Sequence, residues 1–480
     1  MKRKFLSGLF LIVLLNLLVK PFYLLGIDAE VQNRVGEEVY GNYFALLNFT
    51  FLLNILLDAG ITNFNTRNIA QSPQLLQKHF FSILSLRLGL FLPYAAFTLI
   101  SGFIVGYSPF EFYLLSILII NQFLVATIQY ARSNFGGLHL FKTDAFISVL
   151  DRSLLIIFCA ILLWTNLFEG PFQIEWFVYA QTIAYAITAL LSVGILGSKV
   201  GRIQIGIKKN FSVAILKQSF PYALLIFLMM MYNRVDAVMI ERLLPDGNKQ
   251  AGMYAQGFRF LDAVNMFALL FAGLLLPIFS RLIKEKQNFQ EMMQLAYRLL
   301  AGISIIVGIT CFGFKEELID LRYPQASEAS PLIFGWLILS FIPISLTYVF
   351  GTLLTANGSL RALNKMAIFG VALNVVLNYI LIRKFQAEGA AVATLITQSI
   401  TAFIQIVLVY QIFKFKINYK AVFSLSALAV IMIAATYGWR VMEIHLHSLL
   451  ALLSLIALGI LTAFVLRIFR ISDLREMLNR

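Results

Sequence analysis

Between the apolar stretches of this chain, lysine and arginine collect in alternate gaps. Lys2, Arg3 and Lys4 precede the first stretch, and Lys199, Arg202, Lys208 and Lys209 fill a later gap. Arg281, Lys284 and Lys286 fill another, Lys414, Lys416 and Lys420 a third, and Arg467, Arg470, Arg475 and Arg480 follow the last stretch. The intervening gaps are acidic: Asp28, Glu30, Glu37 and Glu38, then Glu111, then Glu169 and Glu175, then Glu316, Glu317 and Asp320. A chain laced back and forth through a bilayer shows this alternation, because cytoplasmic loops retain Lys and Arg. Only 13% of the residues are charged and 60% are hydrophobic, against about 25% charged in soluble domains. The pattern predicts an integral membrane protein and gives its topology.

Apolar stretches of spanning length, about 20 residues, are predicted at 5–27, 39–61, 79–106, 110–131, 145–166, 175–198, 212–240, 250–279, 291–313, 331–356, 359–383, 387–413, 420–440 and 446–468. These are fourteen helical segments with both termini in the cytoplasm. Of the 38 Lys and Arg, 23 sort to the cytoplasmic side, 8 to the outer side and 7 into segments. The 24 acids sort oppositely, with 5 inside, 15 outside and 4 within segments. Trp164, Trp176, Trp336 and Trp439 all fall near predicted outer ends, where interfacial Trp is favoured. The net charge of +14 therefore needs no nucleic-acid partner, since loops facing an anionic leaflet attract Lys and Arg. The basic start and long apolar run lack a small-residue cleavage site, so the first segment is expected to be a retained helix. Cys159 and Cys311 lie in separate segments and give no argument for a disulfide.

A weak internal repeat follows. Phe22-Tyr23-Leu24-Leu25-Gly26-Ile27-Asp28 leads to Tyr40-Gly41-Asn42-Tyr43, and Tyr232-Asn233-Arg234-Val235-Asp236 leads to Ala251-Gly252-Met253-Tyr254. Ala131-Arg132-Ser133-Asn134 likewise pairs with Ala356-Asn357-Gly358 and Arg361. The offset amounts to six segments, an even number, so both copies enter the bilayer from the same side and the repeat is parallel. The predicted fold is all-α and polytopic, with about 14 transmembrane helices in two parallel six-helix lobes around a central cleft, plus two extra C-terminal helices. The predicted boundaries are 1–198, 199–413 and 414–480, the last holding those two helices and a cytoplasmic tail.

Ionisable groups at membrane depth cost at least about 2.5–3.5 kcal/mol each, so they face a cavity or a partner. Here they are Lys20, Asp58, Arg87, Asp151, Arg152, Arg234, Asp236, Arg259, Asp262 and Arg298, with Lys217 near the inner edge. Arg259 and Asp262 are three apart and share a helix face, as a structural pair or an ion-coupling site. Asp151 and Arg152 are adjacent and point about 100° apart, so each needs a partner elsewhere; Arg234 and Asp236 are in the same position. Asp58 closes Leu57-Asp58-Ala59-Gly60 with Arg67 following, and reads as a helix-end tether or an inner gate. Lys20, Arg87 and Arg298 have no acid three or four residues away. With Arg259 they are candidate cleft cations for a phosphate or diphosphate, which Arg binds bidentately and Lys as a point charge. The alternative for Arg87 and Arg298 is snorkelling to headgroups. Asp58, Asp151, Arg152, Arg234, Asp236 and Asp262 are the gating or ion-coupling candidates. Pro21, Pro93, Pro221, Pro277 and Pro343 remove backbone hydrogen bonds at depth and predict bends.

Gly194-Ile195-Leu196-Gly197-Ser198-Lys199 misses the spacing of a phosphate-binding loop, so no ATP hydrolysis is expected. There is no HExxH, paired CxxC or GxSxG pattern, and His445 and His447 read as an outer loop rather than a metal site. A transporter without an organic cofactor or metal, and not an enzyme, is the expectation.

In order and spacing, several segments resemble the polysaccharide transporter branch of the multidrug/oligosaccharidyl-lipid/polysaccharide exporter superfamily, the Wzx-like flippases. They are Gly41-Asn42-Tyr43 through Leu57-Asp58-Ala59-Gly60-Ile61 and Arg67, Arg234 through Ile240, Ala251-Gly252-Met253-Tyr254, Leu276-Pro277-Ile278-Phe279-Ser280-Arg281, Asn374-Val375-Val376-Leu377-Asn378 and Glu388-Gly389-Ala390-Ala391-Val392-Ala393-Thr394. The resemblance runs from about residue 5 to 413. It implies a cationic cleft and flipping of a polyprenyl-diphosphate-linked oligosaccharide to the outer leaflet for cell-surface polysaccharide such as O-antigen, driven by H+ or Na+. It also implies a bacterial inner (plasma) membrane, contact with membrane lipids, and polysaccharide polymerase and glycosyltransferases as partners. Asp58, Arg67, Asp236 and Asn378 match family positions that look structural. The competing reading is an ion-coupled multidrug or organic-cation exporter, against which the surplus of intramembrane cations speaks.

Overall fold

A computed structural model describes residues 2–62, 65–66, 69, 72, 74–138, 140–165, 170–200, 209–414, 418–441 and 448–470. Arg67, Glu169, Arg202, Lys208, Lys416, His445, His447, Arg475 and Arg480 lie outside the described residues. Among the described residues there are helices and no strands. Twelve helical runs are long and apolar enough to cross a membrane. Two of these hold two crossings each.

Leu11–Leu52 runs 42 residues and breaks at Gly36, which has φ 85° and ψ 166°. Tyr40 Oη donates to Asp28 Oδ2 at 2.6 Å. Twelve residues of continuous helix would separate those positions by about 18 Å, so the chain doubles back at Gly36. Leu360–Phe413 runs 54 residues and breaks at Gln386, with φ 54° and ψ −137°. A Cβ on Gly389 would lie 2.9 Å from the Ile382 amide nitrogen, positions about 10 Å apart along an unbroken helix. Twelve runs therefore make the fourteen crossings predicted.

The chain forms two compact units, Met1–Gly252 and Met253–Arg480. The first contains α1 (Lys2–Phe22), a π-helical stretch (Tyr23–Asp28), α2 (Ala29–Leu52), α3 (Ile55–Asp58), α4 (Leu75–Val105), α5 (Pro109–Gly137), α6 (Phe141–Trp164), α7 (Ile174–Val200) and α8 (Lys209–Leu243). Helix α1 lies against α6, α5 against α7, and α2 against both α5 and α8. Pro21 lies inside α1, two residues before the π stretch, and its missing N–H removes one bond of the regular ladder there. The first crossing consequently runs past the predicted residue 27, and Asp28 is a buried helical residue rather than a loop acid. The second crossing stops at Leu52, well before the predicted residue 61, and α3 follows after a two-residue turn. Helix α5 starts with a capping box: the Glu111 amide donates to Ser108 Oγ at 3.3 Å and the Ser108 amide to Glu111 Oε2 at 2.6 Å. Glu111, expected in a loop, closes the helix end.

The second unit takes most of α9 (Gly247–Lys284, whose first residues belong to the first unit), then α10 (Gln290–Gly313), α11 (Lys315–Arg322), α12 (Ser330–Leu339), α13 (Phe341–Ala356), α14 (Leu360–Phe413), α15 (Tyr419–Val441) and α16 (Ser448–Val465). The predicted 331–356 segment is two helices, since Pro343 cannot donate to the Leu339 carbonyl and the ladder breaks at Ser340. Helix α11, in a gap read as loop, is too short and polar to register as a span. Helices α15 and α16 pack on α10 around Ile306, Met432, Leu428 and Ala463. Arg440 fastens their end, donating to the Gly313 carbonyl at 2.7 Å and to Glu316 and Glu317 at 2.7 and 3.2 Å.

Candidate functional site

Helices α1 and α6 run side by side in register. Asn16 Nδ2 donates to Ser148 Oγ at 2.8 Å. One turn further along each helix, Lys20 on α1 faces Asp151 and Arg152 on α6, because i and i+4 stack on one helix face. Lys20 lies within electrostatic reach of Arg132, Asp144, Asp151 and Arg152. Lys20 and the adjacent pair Asp151 and Arg152, far apart in sequence, therefore form one cluster.

The cations of the cluster differ in how they are occupied. Arg132 Nε donates to Asp144 Oδ1 at 2.8 Å. The Arg152 guanidinium sits over the Tyr23 and Tyr185 rings at 4.7 and 5.5 Å and donates to Tyr185 Oη at 2.8 Å. Asp151 approaches it at 3.8 Å, the loose end of ion-pair range. Lys20 is half-buried and makes no ion pair among the described residues. Asp144 and Asp151 pair with the arginines, and the buried Asp28 carboxylate lies within electrostatic reach of Tyr23 and Tyr185, so Lys20 is the cation of the cluster without an ion pair among the described residues. Such a cluster can accept an anion at membrane depth, with Lys20 as point charge and Tyr23, Tyr185 and Arg152 as a planar wall.

Asp58 and Arg87 form a second cluster in the first unit. Arg87 is 1% exposed, so it does not reach headgroups. Its Nη2 donates to Asp58 Oδ1 and, at 2.7 Å, to Thr62 Oγ1; its Nη1 donates to the Ala126 carbonyl at 3.0 Å, and Tyr130 lies under the guanidinium at 5.2 Å. Thr62 also donates to Asp58. These contacts tie α3, α4 and α5 together and leave Arg87 little freedom to meet a substrate.

The remaining candidates have contacts of their own. Arg234 lies over the Phe51 ring at 5.4 Å and Asp236 is buried on α8. In the second unit, Arg259 and Asp262 approach to 3.9 Å. Arg298 on α10 is half-buried and donates to the Gln294 carbonyl at 3.3 Å.

Several participants were not singled out from the sequence. Tyr23 enters the sequence reading only as part of the repeat, and Tyr185 not at all. Asp28, with Tyr40, sits beside a second polar tie, Gln181 Nε2 to Tyr43 Oη at 2.7 Å. Arg242, at the end of α8, lies 3.5 Å from Glu111 and over the Tyr107 ring at 4.2 Å, and Asn42 donates to the same carboxylate at 3.0 Å. Burial there pushes the Tyr107 hydroxyl well above its ordinary value. An apolar groove of about 440 Å³ on α6 and α7, lined by Phe158, Ile161, Leu162, Trp176, Tyr179 and Ile183, holds no cation.

Residues 5–283 match the model of the family described as polysaccharide biosynthesis protein. The chain belongs to that family. The family match and the solved neighbours fall in the multidrug/oligosaccharidyl-lipid/polysaccharide exporter superfamily. A solved lipid II flippase MurJ in an inward closed conformation superposes with TM-score 0.70 at 15% identity, covering 99% of each chain. An inward-facing multidrug resistance MATE family transporter gives TM-score 0.61 at 13% identity, over 82% of this chain and 97% of that one. At those identities the likeness establishes the fold. An uncharacterized membrane protein of Methanocaldococcus jannaschii is 25% identical over 195 residues, 41% of this chain; the match spans 45% of that relative's length. The family assignment and the twelve spanning runs make this a multi-pass membrane protein of that family.

Proposed function

We propose that the protein flips a polyprenyl-diphosphate-linked oligosaccharide from the cytoplasmic to the outer leaflet of a bacterial inner membrane, by alternating access of repeat-related lobes at 1–198 and 199–413, with both termini cytoplasmic. The observation that carries this is the Lys20 ammonium, which makes no ion pair among the described residues although Arg132, Arg152, Asp144 and Asp151 lie within its electrostatic reach. A diphosphate offers that cluster a charge to neutralise, whereas an organic cation would meet like charge. Family membership supports a role in polysaccharide synthesis, and the likeness in fold to a lipid II flippase supports a lipid-linked cargo. Glycosyltransferases and a polymerase would act before and after the step, and an H+ or Na+ gradient would drive it.

The test is flipping of a fluorescent polyprenyl-diphosphate oligosaccharide in proteoliposomes. Lys20→Gln is expected to slow flipping by about tenfold to a hundredfold, the worth of a charge-assisted hydrogen bond, with the purified variant as monodisperse as the parent. Lys20→Arg is expected to recover part of the rate. An unchanged rate in Lys20→Gln removes the proposed headgroup site.

A further inference from the structure

Two repeat-related helix ends meet in the first unit. The Glu37–Gly41 turn of α2 and the Asn248–Gly252 turn of α9 cross with their backbones touching. A Cβ on Gly41 would overlap the Asn248 carbonyl oxygen and lie 2.5 Å from the Gly252 amide nitrogen; one on Gly252 would overlap the Glu37 carbonyl oxygen and lie 2.7 Å from its carbon. The contact is reciprocal. Gly41 meets the residue four before Gly252, and Gly252 meets the residue four before Gly41. Both correspondences, Glu37 with Asn248 and Gly41 with Gly252, carry one offset, shared by Tyr40-Gly41-Asn42-Tyr43 and Ala251-Gly252-Met253-Tyr254. A contact that maps onto itself when partners exchange is isologous. A local two-fold axis therefore passes through the seam.

We propose that this glycine seam is a gate of the transport cycle, closed in the present structure and parted in the opposite-facing state. The proposal rests on the alternating-access reading above. Repeat-related elements that rock about a local two-fold separate first where they touch on the axis. The seam suits parting, because at Gly41 and Gly252 it brings backbone against backbone, as small residues permit between membrane helices. Ties that parting must break include Gln32 Nε2 to the Gly252 carbonyl at 2.9 Å, and the Glu111 carboxylate that joins Asn42 of α2 to Arg242 of α8. No other residue type fits at Gly41 or Gly252 while the seam is shut, since the obstructing atoms are main-chain.

Two measurements test it in the full-length protein with Cys159 and Cys311 replaced by Ser. In the first, Ala251→Cys, at a fully buried position beside the seam, reports accessibility to a membrane-impermeant maleimide. Adding Gly41→Ala is expected to raise the labelling rate about tenfold; equal labelling in the two backgrounds overturns the gate. In the second, the pair Glu37→Cys and Asn248→Cys is bridged by oxidation or a short bismaleimide in proteoliposomes. Bridging is expected to stop flux of the fluorescent polyprenyl-diphosphate oligosaccharide, and reduction of the oxidised pair to restore it. Failure to bridge, or full flux while bridged, overturns the proposal, including in the case where Gly41→Ala fails to fold. Labelling does not depend on cargo. If the seam responds to Gly41→Ala but the unbridged protein moves no lipid-linked oligosaccharide, the cargo assignment falls and the gate remains.

Discussion

Arg87 is the buried charge most completely enclosed by partners, and its energetics follow from that. It is 1% exposed and shares Asp58 and Thr62 in one hydrogen-bonded knot. Removing one member of a buried pair strands the other, at about 3–5 kcal/mol. Arg87→Gln and Asp58→Asn are each expected to lower stability on that scale in detergent thermal melts, and the double variant by clearly less than the sum. Additive losses would show that the two side chains act independently. Asp58 and Arg87 are 29 residues apart, so the search for acids three or four positions away could not connect them; only the return of the chain through α3 does. Lys20 was legible for the opposite reason. A lysine in the middle of an apolar segment with no local acid stands out in the sequence, and the structure adds its neighbours on α6 without giving it an ion pair.

At the scale of elements, the attachment of α15 and α16 to α10 is a matter of close fit. A Cβ on Gly459 would come within 2.9 Å of both Ile306 Cγ2 and Met432 Sδ. Gly459→Val is expected to cost about 1–3 kcal/mol, the range for overpacking. Gly438→Ala, where a Cβ meets nothing within 4 Å, is expected to stabilise slightly by about 0.5–1 kcal/mol through helix propensity. Paired melts of the two variants check both signs. The Arg440 tie adds a pH dependence. Burial raises the Glu316 carboxyl, but hydrogen bonds from Lys315 and Arg440 outweigh it and hold the group below its ordinary value. A carboxyl lowered by folding stabilises above its unfolded pKa and loses that contribution as pH falls through the folded one. The stability gap between the parent and Glu316→Gln is therefore expected to be present at pH 7 and to shrink as pH falls below the ordinary carboxylate range. It should not exceed about 1 kcal/mol, since the pair is solvent-exposed. Sequence reading located most of these elements and misjudged particular ends. Asp28 and Glu30 looked like loop acids because burial and the Tyr40 bond are long-range facts; Pro343 was seen as a bend, whereas the ladder breaks outright at Ser340.

At the scale of the molecule, the alternating charges predict fourteen crossings, and the twelve continuous runs agree once Gly36 and Gln386 are recognised as reversals. The one-residue turns hid those reversals from a helix list but not from the charge pattern. Reporter fusions test the orientation: a fluorescent protein after residue 480 is expected to mature in the cytoplasm, and a phosphatase fused at residue 111 to be active outside. An inactive phosphatase there would invert the whole assignment. Chain order carries a last consequence for how this protein is made. Asp58 leaves the ribosome 29 residues before Arg87, so when α4 is handed to the lipid its guanidinium arrives where a carboxylate already waits. Synthesis thus delivers a neutralised pair instead of a bare cation, and the acid serves as a chaperone in cis for the helix that follows it.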